Sequence, residues 1–223
     1  MRLDPGAYIP PLRFHFLTPF YDALVRWTTR ETVFKEALLV QLGRAPGERL
    51  LDVGCGTATL SLELARRNPG AHVVGLDADG TALAIARAKA ARARVPLDLE
   101  QAFADRTPFP SASFDAVVSS LFFHHLRPDA KRAALAEVFR VLKPGGSLHV
   151  ADWGRPANLM LRVAFLLVQV LDGFETTRDS VAGVLPVMMA QAGFVSVHHT
   201  QDFATALGTM ALYSAAKPEL GKT

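Results

Sequence analysis

Some segments of the chain are short apolar runs, which predict buried strands, and others have apolar residues three or four positions apart, which predicts amphipathic helices. The predicted strands cover residues 49–53, 71–76, 97–103, 116–120 and 147–151. The predicted helices between them cover residues 58–67, 81–91 and 130–142. Strands that alternate with helices favour right-handed crossovers, so this part of the chain is predicted to form a parallel sheet.

The two ends of the chain have a different pattern. Residues 19–42 predict N-terminal helices with a break near 28–31, and further helices are predicted at 159–171 and 181–191. The apolar runs 194–198 and 209–214 predict two closing strands that pair antiparallel. The predicted fold class is therefore α/β: a seven-stranded mixed sheet, the last strand antiparallel, with helices on both faces.

Composition sets limits on the class of protein. With 223 residues, half of them apolar, the chain suits one globular domain, and a net charge of +3 without basic runs argues against a nucleic-acid partner. Cys55 is the single cysteine, which excludes an internal disulfide and a cysteine-based zinc site and fits a cytoplasmic location. The proline-rich start lacks a signal-peptide core, and Arg162 and Gln169 interrupt the most apolar helix, so we expect no transmembrane segment.

A glycine loop follows the first predicted strand, at the sheet edge where open parallel sheets bind ligands. Gly54 and Gly56 let the backbone approach a ligand, and the helix after them offers free N–H groups to a carboxylate. Asp52 can accept hydrogen bonds from an ammonium group, and Asp77, at the end of the next strand, can hold both hydroxyls of a ribose. An amino acid joined to a nucleoside is S-adenosylmethionine (SAM), so the loop predicts a SAM site.

Further segments accompany this loop in a recognisable order. Residues 51–60, 73–79, 108–110 with 114–115, 121–126 and 140–146 resemble the ordered motifs of class I SAM-dependent methyltransferases. Their spacing matches over residues 45–155, and residues 191–194 resemble the usual lead-in to the last strands. Within that class the chain looks most like the group of ubiquinone/menaquinone and small-molecule natural-product methyltransferases. The resemblance implies a Rossmann-like fold and methyl transfer that converts SAM to S-adenosylhomocysteine.

The resemblance also implies cofactor contacts, position by position. These are Tyr21 on a lid over the methionine part of SAM, Gly54, Cys55 and Gly56 beneath it, Asp77 on the ribose, Ala78 beside the adenine and Ser120 near the amino-acid end. Core packing is the alternative function of Tyr21.

Two positions depart from the family pattern. Ala58 stands where the family usually has a third glycine, and because a methyl group at a helix start is compatible with a negative φ we expect a minor effect. The third strand often ends in an aspartate that contacts the adenine amino group, whereas this chain has Phe103, Ala104 and Asp105. Phe103 is expected to stack on the base, while Asp105 either replaces the missing carboxylate or is simply solvated.

A nicotinamide-binding loop is the competing interpretation of Gly54 and Gly56. That loop requires a third glycine where this chain has Thr59, and it does not usually have an acid at Asp52. A plain structural turn would leave the pairing of Asp52 with Asp77 unexplained. We therefore favour the SAM loop over both alternatives.

His124 and His125 follow the fourth strand, on the ligand side of the sheet. A histidine there can remove a proton from a hydroxyl during methyl transfer, because its ordinary pKa of about 6.5 suits a general base. We expect at most one of the two to face the substrate and favour His124, with packing of the next helix as the alternative. Asp152 either orients that histidine, binds the acceptor or is a turn residue. The other histidines have no metal-like spacing, so no metal is implied.

A single methyltransferase domain with four parts is expected: an N-terminal helical lid (1–45), a SAM-binding core (46–155), a helical substrate-lid insert (156–192) and closing strands (193–223). The apolar helix 159–171 predicts a hydrophobic small-molecule acceptor, with ordinary core or a dimer interface as alternatives. We favour O- or C-methylation; phospholipid or amine N-methylation and a non-catalytic SAM-binding regulator are the alternatives. Peripheral membrane contact and either a monomer or a homodimer are compatible with the sequence.

Overall fold

The structure, a computed structural model, describes residues 30–43, 47–219 and 221. The strands are β1 (Arg49–Val53), β2 (His72–Asp77), β3 (Asp98–Gln101), β4 (Phe114–Ser120), β5 (Leu142–Trp153), β6 (Val195–Thr205) and β7 (Gly208–Ala216). The helices are α1 (Glu31–Leu42), α2 (Thr59–Arg67), α3 (Gly80–Ala93), α4 (Pro128–Val141), α5 (Leu159–Asp172), α6 (Phe174–Ala182) and α7 (Leu185–Gln191). A short 3₁₀ helix, Phe123–His125, follows β4.

The strands form one seven-stranded sheet in the order β3-β2-β1-β4-β5-β7-β6. Strands β1 to β5 pair in parallel, and β7 pairs antiparallel with both β5 and β6. The predicted fold class and the antiparallel last strand are therefore confirmed. The strand order reverses between β1 and β4, so the carboxyl ends of these two strands border the crevice in which such sheets bind ligands.

Two apolar layers cover the faces of the sheet. One contains Leu135 of α4 and Met188 of α7, and the other contains Phe34 of α1, Leu64 of α2 and Phe165 of α5. Helices cover both faces of β1 and β4, so these strands are buried along most of their length. This explains why their sequences are mostly apolar. The strand ends that border the crevice are therefore fixed on both sides.

The chain after α5 differs from its prediction. The sequence predicts one helix at 181–191, whereas the chain forms α6, breaks and then forms α7. Gly183 ends α6 with a φ of 66°, and Pro186 lies in the first turn of α7, where proline can begin a helix but not continue one. Most of α6 was missed because its buried positions are the polar residues Thr176, Thr177 and Ser180, which carry no apolar periodicity.

The apolar helix predicted at 159–171 is α5. The side chain of Asn158 caps it by accepting the Leu161 N–H at 2.9 Å, and Phe165 packs on Trp153 with ring centroids 5.4 Å apart. Within the described residues, no helix is long and apolar enough to cross a membrane. The predicted insert 156–192 contains α5, α6 and α7; its function as a lid stays a prediction, and most of the predicted N-terminal lid lies outside the described residues.

Candidate functional site

The glycine loop closes against the end of β2 through main-chain hydrogen bonds. The N–H groups of Gly54 and Cys55 donate to the carbonyl of Leu76, at 2.8 and 3.0 Å. Gly54 and Gly56 adopt φ values of 71° and 53°, in the left-handed region that glycine occupies without a steric penalty. The loop is thereby fixed at the carboxyl ends of β1 and β2.

Gly54 lies directly against the ring of Phe122, which belongs to the segment after β4. A Cβ on Gly54 would come within 2.2 to 2.7 Å of three Phe122 carbon atoms, closer than side-chain atoms approach one another. A Cβ on Gly56 would meet nothing within 4 Å. Packing therefore requires glycine at the first position, while the second leaves open space for a ligand.

Asp77 ends β2 and connects the glycine loop with the start of α3. Its Oδ2 accepts the Gly56 N–H at 2.7 Å, and its Oδ1 accepts the Asp79 N–H at 2.9 Å. Burial raises the pKa of this carboxyl, and the two N–H groups oppose that shift. Because a carboxylate oxygen accepts more than one hydrogen bond, both oxygens can still receive ligand hydroxyls.

A cavity opens beside these groups, at the crevice between β1 and β4. The predicted cofactor residues that line it are Gly54, Gly56, Asp77, Ala78, Phe103, Ala104 and Asp105. His125 also lines it, together with residues that sequence analysis did not single out: Leu76, Ala102, Leu121, Phe122, Leu126, Ala130 and Ala134. Their small and apolar side chains make a wall of the kind that a flat base contacts. For Phe122 and Leu126, the available signal was that segment 121–126 resembles a family motif.

Asp52 is not among the described residues that line this cavity. It is 1% exposed, and its carboxylate accepts the hydroxyl of Ser61 on α2 at 2.5 Å. Burial raises the pKa of Asp52 to about 6, although the Ser61 hydrogen bond opposes the shift. Asp52 therefore lies beneath the loop, where one of its two carboxylate oxygens accepts the Ser61 hydroxyl. Its contact with a ligand ammonium stays a prediction.

The other predicted cofactor residues lie at different depths around the cavity. Cys55 is buried, and its sulfur would lie 3.0 Å from a Cβ on Gly75, so it packs beneath the loop. Ser120 ends β4 with a buried hydroxyl that has no hydrogen-bond partner in the described part of the chain. Tyr21 lies outside the described residues. Ser120 thus offers an unused polar group at the edge of the crevice.

Ala58 corrects the expectation of a negative φ at the helix start. Its φ is 60°, in the left-handed region. The Ala58 N–H donates to the Cys55 carbonyl at 2.8 Å, and the Ala58 carbonyl accepts the Leu62 N–H at 3.0 Å, so the turn into α2 depends on this conformation. Left-handed backbone costs alanine about 1 to 2 kcal/mol, a strain that glycine would avoid.

His124 and His125 share the 3₁₀ helix after β4 but face different surroundings. His124 is buried, its Nδ1 lies 2.6 Å from Oδ1 of Asp152, and its backbone N–H donates to Oδ2 at 3.3 Å. His125 lines the cavity, and its ring lies against that of His124 with centroids 3.9 Å apart. The structure therefore places His125, rather than the favoured His124, on the cavity wall.

The pKa values of the two imidazoles are also shifted in opposite directions. Burial disfavours the charged form of His124, but the carboxylates of Asp152 and Asp172 outweigh burial and raise its pKa. Burial, reinforced by the charge of His124, lowers the pKa of His125 well below its ordinary value. At neutral pH the cavity-lining His125 is therefore uncharged, with one ring nitrogen unprotonated, and its lowered pKa makes it a weaker base than an ordinary histidine.

Asp172 and Lys131 complete this region, and sequence reasoning did not predict either. Oδ2 of Asp172, at the end of α5, lies 3.7 Å from Nε2 of His124. One imidazole nitrogen each of His124 and His125 and one carboxylate oxygen of Asp172 lie within 4.8 Å of one another, which is close enough to hold a metal ion. The spacing of these residues in the sequence did not indicate this group. Lys131 is buried on α4 and donates to Asp179 of α6 at 3.1 Å. Only folding brings these residues together, so no local pattern could show them.

A larger cavity, of about 570 Å³, lies between α1, α2 and α3. Charged side chains of both signs line it, including Lys35, Glu36 and Arg66. Its walls are helix faces, whereas ligands of open parallel sheets bind at strand ends. We therefore place the ligand site at the crevice beside Gly54 and Asp77.

The residues at the crevice fit a ligand that joins a nucleoside to an amino acid. Asp77 presents carboxylate oxygens for ribose hydroxyls, and Phe103 supplies an apolar surface for the base. Asp105 also lines the cavity, so its carboxylate can face the base or the solvent. The unpartnered hydroxyl of Ser120 can bind the amino-acid part. SAM combines these groups, and the residues present fit it.

Comparisons with known proteins agree with this geometry. A profile of the methyltransferase domain matches residues 50–146. The chain is 34% identical to the demethylmenaquinone methyltransferase of Thermus thermophilus, over 81% of this chain and 90% of that protein. It is 30% identical to the ubiquinone/menaquinone biosynthesis C-methyltransferase UbiE of Syntrophotalea carbinolica, over 96% and 95% of the two chains. The YcgJ protein of Bacillus subtilis has the same fold, with a TM-score of 0.69 at 17% identity over 83% of this chain and 98% of that chain.

Proposed function

Because the chain belongs to the class I SAM-dependent methyltransferases of the ubiquinone/menaquinone type, we propose that its acceptor is a hydrophobic quinol, methylated on a ring carbon. The observation that carries this proposal is the position of His125 on the wall of the cavity that Gly54 and Asp77 also line. A base at this place is needed for a phenolic acceptor, which must lose its proton to become a strong nucleophile. The names of the relatives support a quinone ring as the acceptor.

His125 is the catalytic base in this proposal. When bound, SAM supplies an electrophilic methyl group. The quinol hydroxyl gives its proton to the unprotonated ring nitrogen of His125, and the electron pair left on oxygen makes the adjacent ring carbon the nucleophile. That carbon would take the methyl group while the electrons of the broken carbon–sulfur bond stay with S-adenosylhomocysteine, and it would then lose its own hydrogen as a proton, which restores the aromatic ring and the hydroxyl. The walls of the cavity align the reactants and exclude water, which together account for much of the catalysis.

His124 is a positioning residue. Asp152 holds its Nδ1 at 2.6 Å, and its ring lies against that of His125, so it fixes the orientation of the base. The raised pKa of His124 favours its charged form, and a positive charge there, added to burial, disfavours protonation of His125, because like charges oppose one another.

The His125→Ala variant tests the base. We expect kcat for a water-soluble, short-chain demethylmenaquinol to fall about 10²- to 10⁴-fold, measured as release of S-adenosylhomocysteine. Affinity for S-adenosylhomocysteine, measured by calorimetry, should change far less, because Asp77 and the glycine loop remain. His198→Ala is the matched control, since His198 is exposed on β6, away from the cavity, and should leave kcat unchanged.

The His124→Ala variant separates positioning from catalysis. Removing the neighbouring charge should raise the pKa of His125, so the acid limb of the kcat profile should move to higher pH. Full activity of both single variants on the quinol would remove the histidines from the mechanism. Transfer to an amine or phospholipid acceptor, with none to the quinol, would replace ring methylation by N-methylation.

A further inference from the structure

The outer surface of α5 is apolar along its whole length. Successive residues of an α-helix are about 100° apart, so its exposed side chains share one arc of about 140°. Together with Phe174, which begins α6, they form what we call the α5 apolar face: Leu159, Met160, Val163, Leu166, Leu167, Val170, Leu171 and Phe174, each 40 to 78% exposed. We propose that the α5 apolar face docks on the surface of a lipid bilayer.

This concentration of apolar residues is unlike the rest of the described surface. Of the 13 large apolar residues that are exposed, eight lie in this one segment, and the other five are scattered: Val33, Val40, Ile85, Val187 and Val195. Scattered apolar residues are normal on a protein surface, whereas a contiguous apolar patch marks a contact with another apolar body. The opposite side of α5 cannot turn outward, because Leu161, Phe165 and Val168 are buried.

The size of α5 determines how it can meet a bilayer. With 14 residues the helix is about 21 Å long, shorter than the hydrocarbon core of roughly 30 Å. The apolar arc also faces only one side. The helix is therefore suited to lying in the plane of the interface, with its outer side chains among the acyl chains.

Charge favours a lipid surface over a second copy of the chain. Arg155 precedes α5, and Arg178 lies one turn beyond Phe174 on α6; both are exposed, and neither makes an ion pair within the described residues. Lipid phosphates can pair with both arginines. The acidic residues where α5 meets α6, Asp172 and Glu175, already face His124 and Arg127, at 3.7 and 3.2 Å. A second copy would therefore offer these arginines no unpaired carboxylate from the same segment, which favours the lipid surface.

The α5 apolar face continues towards the proposed base. Asp172, the last residue of α5, lies 3.7 Å from His124, and Phe165 packs on Trp153, whose ring centroid is 6.4 Å from that of His124. Docking through α5 would therefore place the acceptor side of the crevice next to the membrane. This part of the inference rests on the proposed function: the acceptor would be a quinol embedded in the bilayer.

A matched pair of variants tests the docking. Val170 and Val40 are both 67% exposed, but only Val170 belongs to the α5 apolar face. We expect the full-length protein to cosediment with vesicles of phosphatidylcholine and phosphatidylglycerol, and Val170→Glu to bind them at least about tenfold more weakly, because it places a carboxylate among acyl chains. Val40→Glu should bind as the unmodified protein does. Methyl transfer to a water-soluble, short-chain quinol should be equal in all three.

The arginines provide a second, independent measurement. Replacing Arg155 and Arg178 together by glutamine should weaken binding to the phosphatidylglycerol vesicles about tenfold, with a small effect on vesicles of phosphatidylcholine alone. Circular dichroism melting identifies any variant that fails to fold, and the arginine variant then remains as the test.

Three outcomes would overturn the docking: no vesicle binding by the unmodified protein, equal loss in Val170→Glu and Val40→Glu, or a dimer by sedimentation equilibrium that Val170→Glu dissociates. Different outcomes would contradict the proposed function. Vesicle binding without any methyl transfer to a quinol would support the docking and contradict the proposed quinol acceptor. Methyl transfer to a soluble quinol without vesicle binding would support the acceptor and contradict the docking.

Discussion

The two sides of the crevice are built by different means. On the donor side, at the ends of β1 and β2, Gly54, Cys55 and Gly56 are held by their own main-chain N–H groups. On the acceptor side, at the ends of β4 and β5, the contacts join side chains distant in sequence, such as His124 with Asp152. A main-chain site requires glycine at set spacings, whereas a side-chain site can be assembled from many sequences. A fold can therefore keep one donor site while its acceptor site varies.

The Gly54→Ala substitution tests the donor side most severely. Its Cβ would overlap the Phe122 side chain at 2.2 to 2.7 Å, and the φ of 71° adds strain. We expect affinity for S-adenosylhomocysteine, measured by calorimetry, to fall about 100-fold or more, which is about 2.7 kcal/mol.

Gly47→Ala is the control, because its φ is 75° and its Cβ would meet nothing within 4 Å. It carries the same backbone strain without the overlap, so its affinity should be nearly unchanged. Similar losses in both variants would mean that strain, and not the contact with Phe122, explains the requirement for glycine.

The donor side could be predicted from the sequence because its requirements are local. Gly54, Gly56 and Asp77 lie at strand ends that periodicity identifies, and all three line the cavity. The prediction for Ala58 was wrong, since the sign of φ depends on how the loop closes through Cys55 and Leu62, which a single sequence does not show. The predicted contact of Asp52 with a ligand stays a prediction, and its hydrogen bond with Ser61 could not be foreseen, because Ser61 reaches the carboxylate only after α2 has folded.

The acceptor side could be predicted only in outline. Its two histidines and Asp152 stood out as polar residues at strand ends, but which histidine faces the cavity depends on the 3₁₀ turn at Phe123–His125. Asp172 and Lys131 gave no signal, because they meet the site through the packing of α5 and α6. Most of α6 itself was missed, since its inner side chains are threonine and serine.

The pH dependence of stability tests the acceptor side. The pKa of His124 is raised in the folded protein because Asp152 and Asp172 outweigh burial and the opposing charge of Lys131. A raised pKa contributes stability that is complete below the unfolded value of about 6.5 and is lost as pH rises through the folded value. We expect the free energy of unfolding, measured in urea, to fall as pH rises above 6.5, and His124→Gln to lack this fall.

Other shifted groups should not obscure that measurement. Burial raises the pKa of Asp52 to about 6 and lowers the pKa of His149 to about 4, so both values lie below 6.5. Asp52 and His149 are common to both proteins, so the difference between them reports the charge of His124 together with its effect on His125, Asp152 and Asp172. The same slope in the unmodified protein and in His124→Gln would show that His124 carries no charge at neutral pH.

Ala58→Gly is expected to have the smallest effect. Glycine relieves about 1 to 2 kcal/mol of left-handed strain but loses a buried methyl group, worth roughly 0.8 kcal/mol, and gains freedom in the unfolded chain. The free energy of unfolding should change by less than about 1 kcal/mol, and SAM affinity should stay within about threefold. A loss of several kcal/mol would mean that the methyl group contributes far more to packing than to strain.

The contact between Phe122 and Gly54 joins the two sides of the crevice. Phe122 directly precedes the 3₁₀ turn that carries the histidines, so any shift of that turn on binding an acceptor would change the packing against the donor loop. Donor and acceptor should therefore bind cooperatively, each changing the affinity of the other by the same factor.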